Sequence, residues 1–291
     1  MLLQLLEIVA PVFICTAIGY GWIKAGLPSD TTLASALVLN IGTPCLVFYT
    51  LTAINLDPAA FGEMAIAALA VLAGALAVSW AMLAMVRLPQ RSFLPALILP
   101  NMGNMGLPLA LFAFGEKGLA LAIALFSIIA IAQFTLGLGI AAGSMTFKVA
   151  VRQPILYAVA VALVFMSGDM TPPKWILETT KLLGGITIPL LLITLGITLG
   201  QIKMGSLKRA LPLSVFRLAS GFVVGILVAE LMGLEGMAKG VVILQSSMPV
   251  AVFSYLFAVT FKQDPEDVAS LTMISTLLTF ATLPALLWFV I

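Results

Sequence analysis

Within an otherwise apolar part of the chain, residues 99–112 read LPNMGNMGLPLALF, with two prolines, two asparagines and two glycines. Asn101 and Asn104 each bring an amide donor and an amide acceptor. Pro100 and Pro108 each delete a backbone donor, and Gly103 and Gly106 accept non-helical dihedrals. A second stretch, LQSSMPVAV at 244–252, sets Gln245, Ser246 and Ser247 ahead of Pro249. Amides, hydroxyls and freed N–H groups are suited to gripping a polar or anionic guest. The chain has no histidine, which removes His-ligated metal sites, Ser-His and Cys-His nucleophiles and histidine proton relays. HExxH chemistry is thereby excluded, and the SGDM run at 167–170 leaves its lone Asp169 in a loop, so the reading is of a non-enzyme. Cys15 and Cys45 sit in apolar runs and read as small buried residues, neither disulfide nor metal ligands.

The elements that must carry these groups follow from composition. Of 291 residues, 62% are hydrophobic and only 9% charged, against roughly a quarter charged in a soluble domain. The chain is read as an all-α membrane protein with ten transmembrane helices, at about 3–22, 31–53, 61–86, 92–114, 117–141, 153–168, 174–200, 207–232, 236–260 and 266–290. The sixth is short and ends in SGDMTPP. A net charge of +2 without a basic block argues against nucleic acid as a partner. The N-terminus lacks a basic n-region and carries Glu7, so it is kept as the first span.

Basic residues orient the spans. With the N-terminus outside, Lys24, Arg87, Arg91, Lys148, Arg152, Lys203, Lys208, Arg209 and Lys262 fall in cytoplasmic turns, nine of the fourteen Lys and Arg. Both termini are expected outside a cell membrane, the inner membrane if the source is bacterial. Asn101 lies ten residues beyond Arg91, or ~15 Å deep at ~1.5 Å per residue, near the middle of a ~30 Å core. Irregular backbone survives there only when it is buried in protein or lines a wet cavity. Ser247 is expected to cap a second half-helix in span nine, as Gly106 does in span four. Two N-termini meeting at the midplane would then make an anion site.

The halves of the chain resemble each other. LVLNIGTPCLVFYTL (37–51) matches LLGGITIPLLLITLG (182–196), aligning Pro44 with Pro189, and LPLALFAFG (107–115) matches MPVAVFSYL (248–256), aligning Pro108 with Pro249. The expected plan is a first five-helix repeat over 1–141 and an inverted second over 153–291, with helices 4 and 9 broken and crossed.

NMGNMGLPLALFAFG together with SSMPVAVFSYLFA resembles the auxin efflux carrier family, which includes plant PIN-type carriers and bacterial organic-acid permeases. The resemblance covers the whole chain. It implies scaffold helices 1, 2, 6 and 7, a mobile transport unit of helices 3–5 and 8–10, an elevator-type movement and assembly as a homodimer. It also implies an organic-anion substrate, with Pro100, Asn101, Asn104, Pro108 and Pro249 at the crossover. The connection at about 142–152 is too short for the regulatory domain of the plant members, so auxin itself is not expected.

Other residues carry two readings each. Arg217, ~13 Å beyond Lys208 along its span, pairs with a substrate carboxylate or snorkels to the cytoplasm. Asn40 and Thr43, beside Pro44, complete the site or satisfy a proline kink. Gln133 lines a cavity or bonds a neighbouring helix. Gly196–Gly200 and Gly221–Gly225 are small-xxx-small patterns, which mean close packing and not by themselves a dimer. No carboxylate falls at the midplane, so the coupling ion, Na+ or H+, stays open, and no cofactor or metal is expected. The expected function is secondary active transport of a small organic anion such as a mono- or dicarboxylate. The alternative is a passive anion channel or uniporter.

Overall fold

The computed structural model describes residues 2–28, 30–54, 56–145, 148–202 and 205–291. Lys203, one of the residues used for orientation, lies outside them. The helices are α1 (Leu2–Lys24), α2 (Thr32–Leu37), α3 (Thr43–Ile54), α4 (Pro58–Met85), α5 (Gln90–Ile98), α6 (Leu107–Ala132), α7 (Leu138–Ala142), α8 (Pro154–Ser167), α9 (Lys174–Gly185), α10 (Thr187–Gln201), α11 (Leu207–Leu231), α12 (Gly236–Ser246), α13 (Val252–Phe261) and α14 (Pro265–Val290). Among the described residues no strand forms. One isolated antiparallel bridge joins Pro100 and Val250.

Among the described residues, seven helical stretches are long and apolar enough to cross a membrane: Leu5–Lys24, Thr32–Ile54, Pro58–Met85, Met102–Ala142, Lys174–Gln201, Leu207–Leu231 and Pro265–Val290. The difference from ten has local causes. Helix α8 has only 14 residues. Expected span nine is cut into α12, with 11 residues, and α13, with 10. Expected span four begins in the nine-residue α5. Its second half belongs to the 41-residue stretch that also holds span five. That stretch is kinked at Gly115, whose φ of 67° and ψ of −164° suit glycine alone.

The chain divides into two units, and each has its own core. The first comprises residues 1–65, 103–127 and 151–201. Here α1 lies against α10 at backbone contact: a Cβ added at Gly19 would overlap the Ile193 carbonyl, and one at Gly196 the Thr16 carbonyl. Helix α3 packs on α8 and α9, with Phe48 and Phe165 edge to face at 5.8 Å between ring centroids. Gly184 sits so close to Leu46 that a Cβ would approach its backbone to 2.8 Å. Cys15 and Cys45 are half-buried and unbonded, not fully buried as their apolar neighbours suggest.

Proline shapes the backbone of this unit. Pro44 offers no N–H to the Asn40 carbonyl, and its ring crowds that turn. The helix answers by widening into a π turn over Val38–Gly42, closed by an i→i−5 bond from the Thr43 amide to the Val38 carbonyl. Pro189 does the same to Gly185, and α9 ends there. The two prolines aligned in the sequence thus each disturb the turn before them, Pro44 through a π turn and Pro189 through a one-residue interruption at Ile186.

The second unit comprises residues 66–102, 128–150 and 202–291. Its core is α11, α12 and α14 packed on one another, with α5, α7 and α13 joined to them. Phe134 stacks edge-on against Phe253 at 5.3 Å. Helix α11 approaches α12 through Gly221 and Gly225. A Cβ at Gly221 would overlap the Ser246 carbonyl, and one at Gly225 would overlap the Ser246 hydroxyl. Both small-xxx-small patterns therefore serve packing inside the chain. The polar ends of the unit carry exposed ion pairs, Arg209–Asp267 at 3.0 Å and Lys239–Glu230.

Candidate substrate site at the paired helix breaks

The two broken stretches of the second unit meet. Helix α5 ends at Ile98, and helical structure resumes at Met102. Helix α12 ends at Ser246, and α13 begins at Val252. Between them the Asn101 amide donates to the Pro249 carbonyl at 2.7 Å, and the Ala251 amide donates to the Leu99 carbonyl at 3.0 Å. Each break thus satisfies backbone groups of the other, as an apolar interior requires. Prolines suit the arrangement because Pro100 and Pro249, lacking N–H groups, leave no donor to satisfy there.

The caps differ from the sequence expectation. Ser247 does not start a helix. It stands just past the end of α12, and the Ser246 and Ser247 hydroxyls both donate back to the Ile243 carbonyl, at 3.1 and 2.6 Å. Ala251 holds the N-cap place of α13 without a side-chain bond. Gly106 is likewise no cap. Residues Met102–Gly106 form a π turn that runs on into α6. Pro108 explains it, since an α-helical turn would direct the Asn104 carbonyl at an N–H that proline lacks.

This π turn has a twin. Asn40-Ile41-Gly42-Thr43-Pro44 and Asn104-Met105-Gly106-Leu107-Pro108 share one order, Asn-x-Gly-x-Pro. They share one backbone as well, a π turn that ends two residues before the proline. The signal is local and lies in the sequence itself, in the shared spacing of asparagine, glycine and proline. The two asparagines differ in surroundings. Asn40 is exposed and donates to the Ala36 carbonyl at 2.8 Å, while Asn104 is half-buried.

Buried polar side chains gather at the breaks of the second unit. Asn101 is 5% exposed, and its Nδ2 has no hydrogen-bond partner. Gln245 is fully buried, with neither amide atom bonded. Arg217 is 1% exposed, donates from Nη2 to the Ser246 carbonyl at 3.2 Å, and leaves Nε unpartnered. An unmade bond on a buried polar group costs about 1–3 kcal/mol, so such groups call for a ligand or water. Arg217 points at a helix break, which counts against snorkelling. A cavity of about 390 Å3 lies against Ser247, lined by Leu218, Phe222, Thr282, Leu286 and Phe289.

The remaining sequence candidates are placed as follows. Gly103 and Gly106 lie on the π turn, Gly106 buried. Thr43 is buried at the start of α3. Gln133, 9% exposed, opens a further π turn at Gln133–Gly137.

One contributor escaped the sequence reading. Ser275 of α14 accepts the Val250 amide at 3.2 Å, beside the bridge itself. Its neighbours Thr272, Thr276 and Thr279 are equally buried and return their hydroxyls to their own helix. The signal was the helical spacing of small hydroxyl residues in SLTMISTLLTFAT. Ser275→Ala would leave the Val250 N–H bare, and a loss of about 1–3 kcal/mol is expected, measured as a lower thermal midpoint in detergent.

A helical chain with seven apolar spans among its described residues, and polar groups gathered at paired helix breaks, is a multi-pass membrane protein of the transporter kind. The chain belongs to the membrane transport protein family, the auxin efflux carrier group, whose model matches residues 4–146 and 140–289. Among curated proteins it resembles an uncharacterized transporter of Methanocaldococcus jannaschii, with 29% identity over 203 residues. That match covers 66% of this chain and 65% of the relative, a little under two thirds of its length. An uncharacterized transporter of Methanothermobacter thermautotrophicus is 26% identical over 300 residues, covering 98% of this chain and 97% of the relative.

Proposed function

We propose that the chain is a secondary carrier for a small organic anion, a mono- or dicarboxylate, bound at the paired breaks. One observation carries this reading: Asn101, Gln245 and Arg217 are buried with unpartnered polar atoms where two helices of one unit are interrupted and bonded together. A tightly packed proline kink with no ligand would leave no reason for three such groups in one place.

The full reading has ten crossings in two inverted five-helix repeats, with both termini outside a cell membrane. Support comes from the two successive family-model matches, each covering about half of the chain. The scaffold and transport division draws support from the grouping of α1, α3, α8, α9 and α10 in one unit and α11 to α14 in the other, although residues 103–127 group with the former. Elevator-type alternating access and a homodimer complete the proposal, and neither Na+ nor H+ is assigned as coupling ion.

Uptake into proteoliposomes tests it. Flux of an organic acid should saturate and be stimulated by the same acid on the far side, whereas ohmic single-channel currents would establish a pore instead. Asn104→Leu should abolish this uptake while the protein stays folded and monodisperse. Normal uptake by that variant would remove Asn104 from the site.

A further inference from the structure

The buried charge at the breaks limits what the site can accept. We infer that the substrate is a singly charged organic anion whose carboxylate pairs with Arg217, so that the loaded site is close to neutral. The inference rests on the carrier reading above and adds the valence of the guest.

Arg217 is the one charged side chain buried among the described residues. The ion pairs among the described residues, Arg209–Asp267 and Lys239–Glu230, do not involve it, so no carboxylate among the described residues neutralises it. The helix ends offer little net compensation. Each break has one carbonyl end, at Ile98 or Ser246, and one amide end, at Met102 or Val252. These ends carry opposite partial charges of similar size and largely cancel. With these ends offsetting one another, the field at the breaks is mainly that of one guanidinium.

The guanidinium is placed to hold a carboxylate. One nitrogen, Nη2, is committed to the Ser246 carbonyl, which fixes the group in position. Nε is buried and unpartnered. An arginine offers five donors in a planar fork, enough for a bidentate carboxylate grip in addition to the bond to Ser246. Gly221 makes room for this arrangement, since a Cβ there would come within 2.5 Å of Nη1. A monoanion brings the charge to about zero. A dianion would leave one negative charge uncompensated in a low-dielectric interior, where desolvation is most costly.

Purified protein is titrated, at pH 7 and constant ionic strength, with potassium salts of acetate, propionate, lactate and pyruvate and of malonate, succinate and malate. The readout is the thermal midpoint. At least one monocarboxylate should raise it by several degrees, with no dicarboxylate doing so. Arg217→Gln should weaken the response to that acid at least tenfold, and Arg217→Lys should keep part of it. If a dicarboxylate stabilises more than every monocarboxylate, the valence is wrong and the carrier reading stands. An undiminished response in Arg217→Gln also overturns the inference. If no acid of either class has an effect, the anion-carrier reading itself falls and takes this inference with it. Should Arg217→Gln fail to fold, the wild-type panel and the lysine variant decide between these results.

Discussion

Asn101→Leu and Gln245→Leu should each yield a protein at least as stable as the wild type that no longer transports. The two halves of that result have separate causes. In the structure the Asn101 Nδ2 and both Gln245 amide atoms are buried without partners. Leucine is close in shape and has nothing to satisfy, so exchanging a bare amide for it removes a desolvation cost of about 1–3 kcal/mol. Thermal midpoints should be unchanged or higher. Binding should fall, because a hydrogen bond to a charged guest contributes roughly 1.5–3 kcal/mol, or about 10–150-fold in affinity. Paired measurement of thermal midpoint and uptake checks this directly. A fall in stability with uptake intact would mean that the amides are structural, satisfied by bound water.

Gly225→Val is expected to act in the opposite manner, on the fold first. A single added methyl at Gly225 would already meet the Ser246 hydroxyl, and the Ile243 Cα stands 3.2 Å away. Valine adds two further carbons in the same place. Overpacking of this kind costs typically about 1–3 kcal/mol, and backbone on the receiving side leaves little room to relax. Helix α12 should be pushed from α11, dragging the Ser246 carbonyl off Arg217. Lower thermal midpoint and lost transport should therefore appear together. Gly233→Ala, just past the end of α11, is the control, because nothing lies within 4 Å of an added Cβ there. Because the φ of Gly233 is +64°, that substitution strains only the local turn and should leave α11 against α12 undisturbed.

Membrane residence and helical structure were legible from composition, because apolar runs of about 20 residues are long enough to cross as helices, which satisfy their own backbone groups. The location of the breaks was legible too. Proline removes a donor and crowds the turn before it, and Pro44, Pro100, Pro108, Pro189 and Pro249 all mark interruptions or π turns in the structure. Pro11, Pro95, Pro212 and Pro284 stand inside continuous helices, so it is the company of glycine and polar residues, and not proline alone, that pointed to the breaks. The length of each crossing was harder to read, since hydropathy runs through a kink such as Gly115 without a change of sign.

What the sequence did not contain was the use made of each polar group. Whether Ser247 begins a helix or follows the end of one depends on where the chain turns after α12, and the partner that fixes that turn lies about 150 residues away at Leu99 and Asn101. Ser275 was silent for the same reason: its role is to meet the Val250 amide across a gap that exists only after folding. Asn40 and Asn104 share a motif and a π turn, yet only burial separates one that is exposed from one that is half-buried. Arg217 was chemically visible from the start as a cation in a membrane span, but tertiary packing alone aims it at Ser246 and withholds a carboxylate from it. Local backbone chemistry is written in neighbouring residues and so can be read from them. Charge compensation and hydrogen-bond pairing are relations between distant segments, and they come into being only when those segments pack.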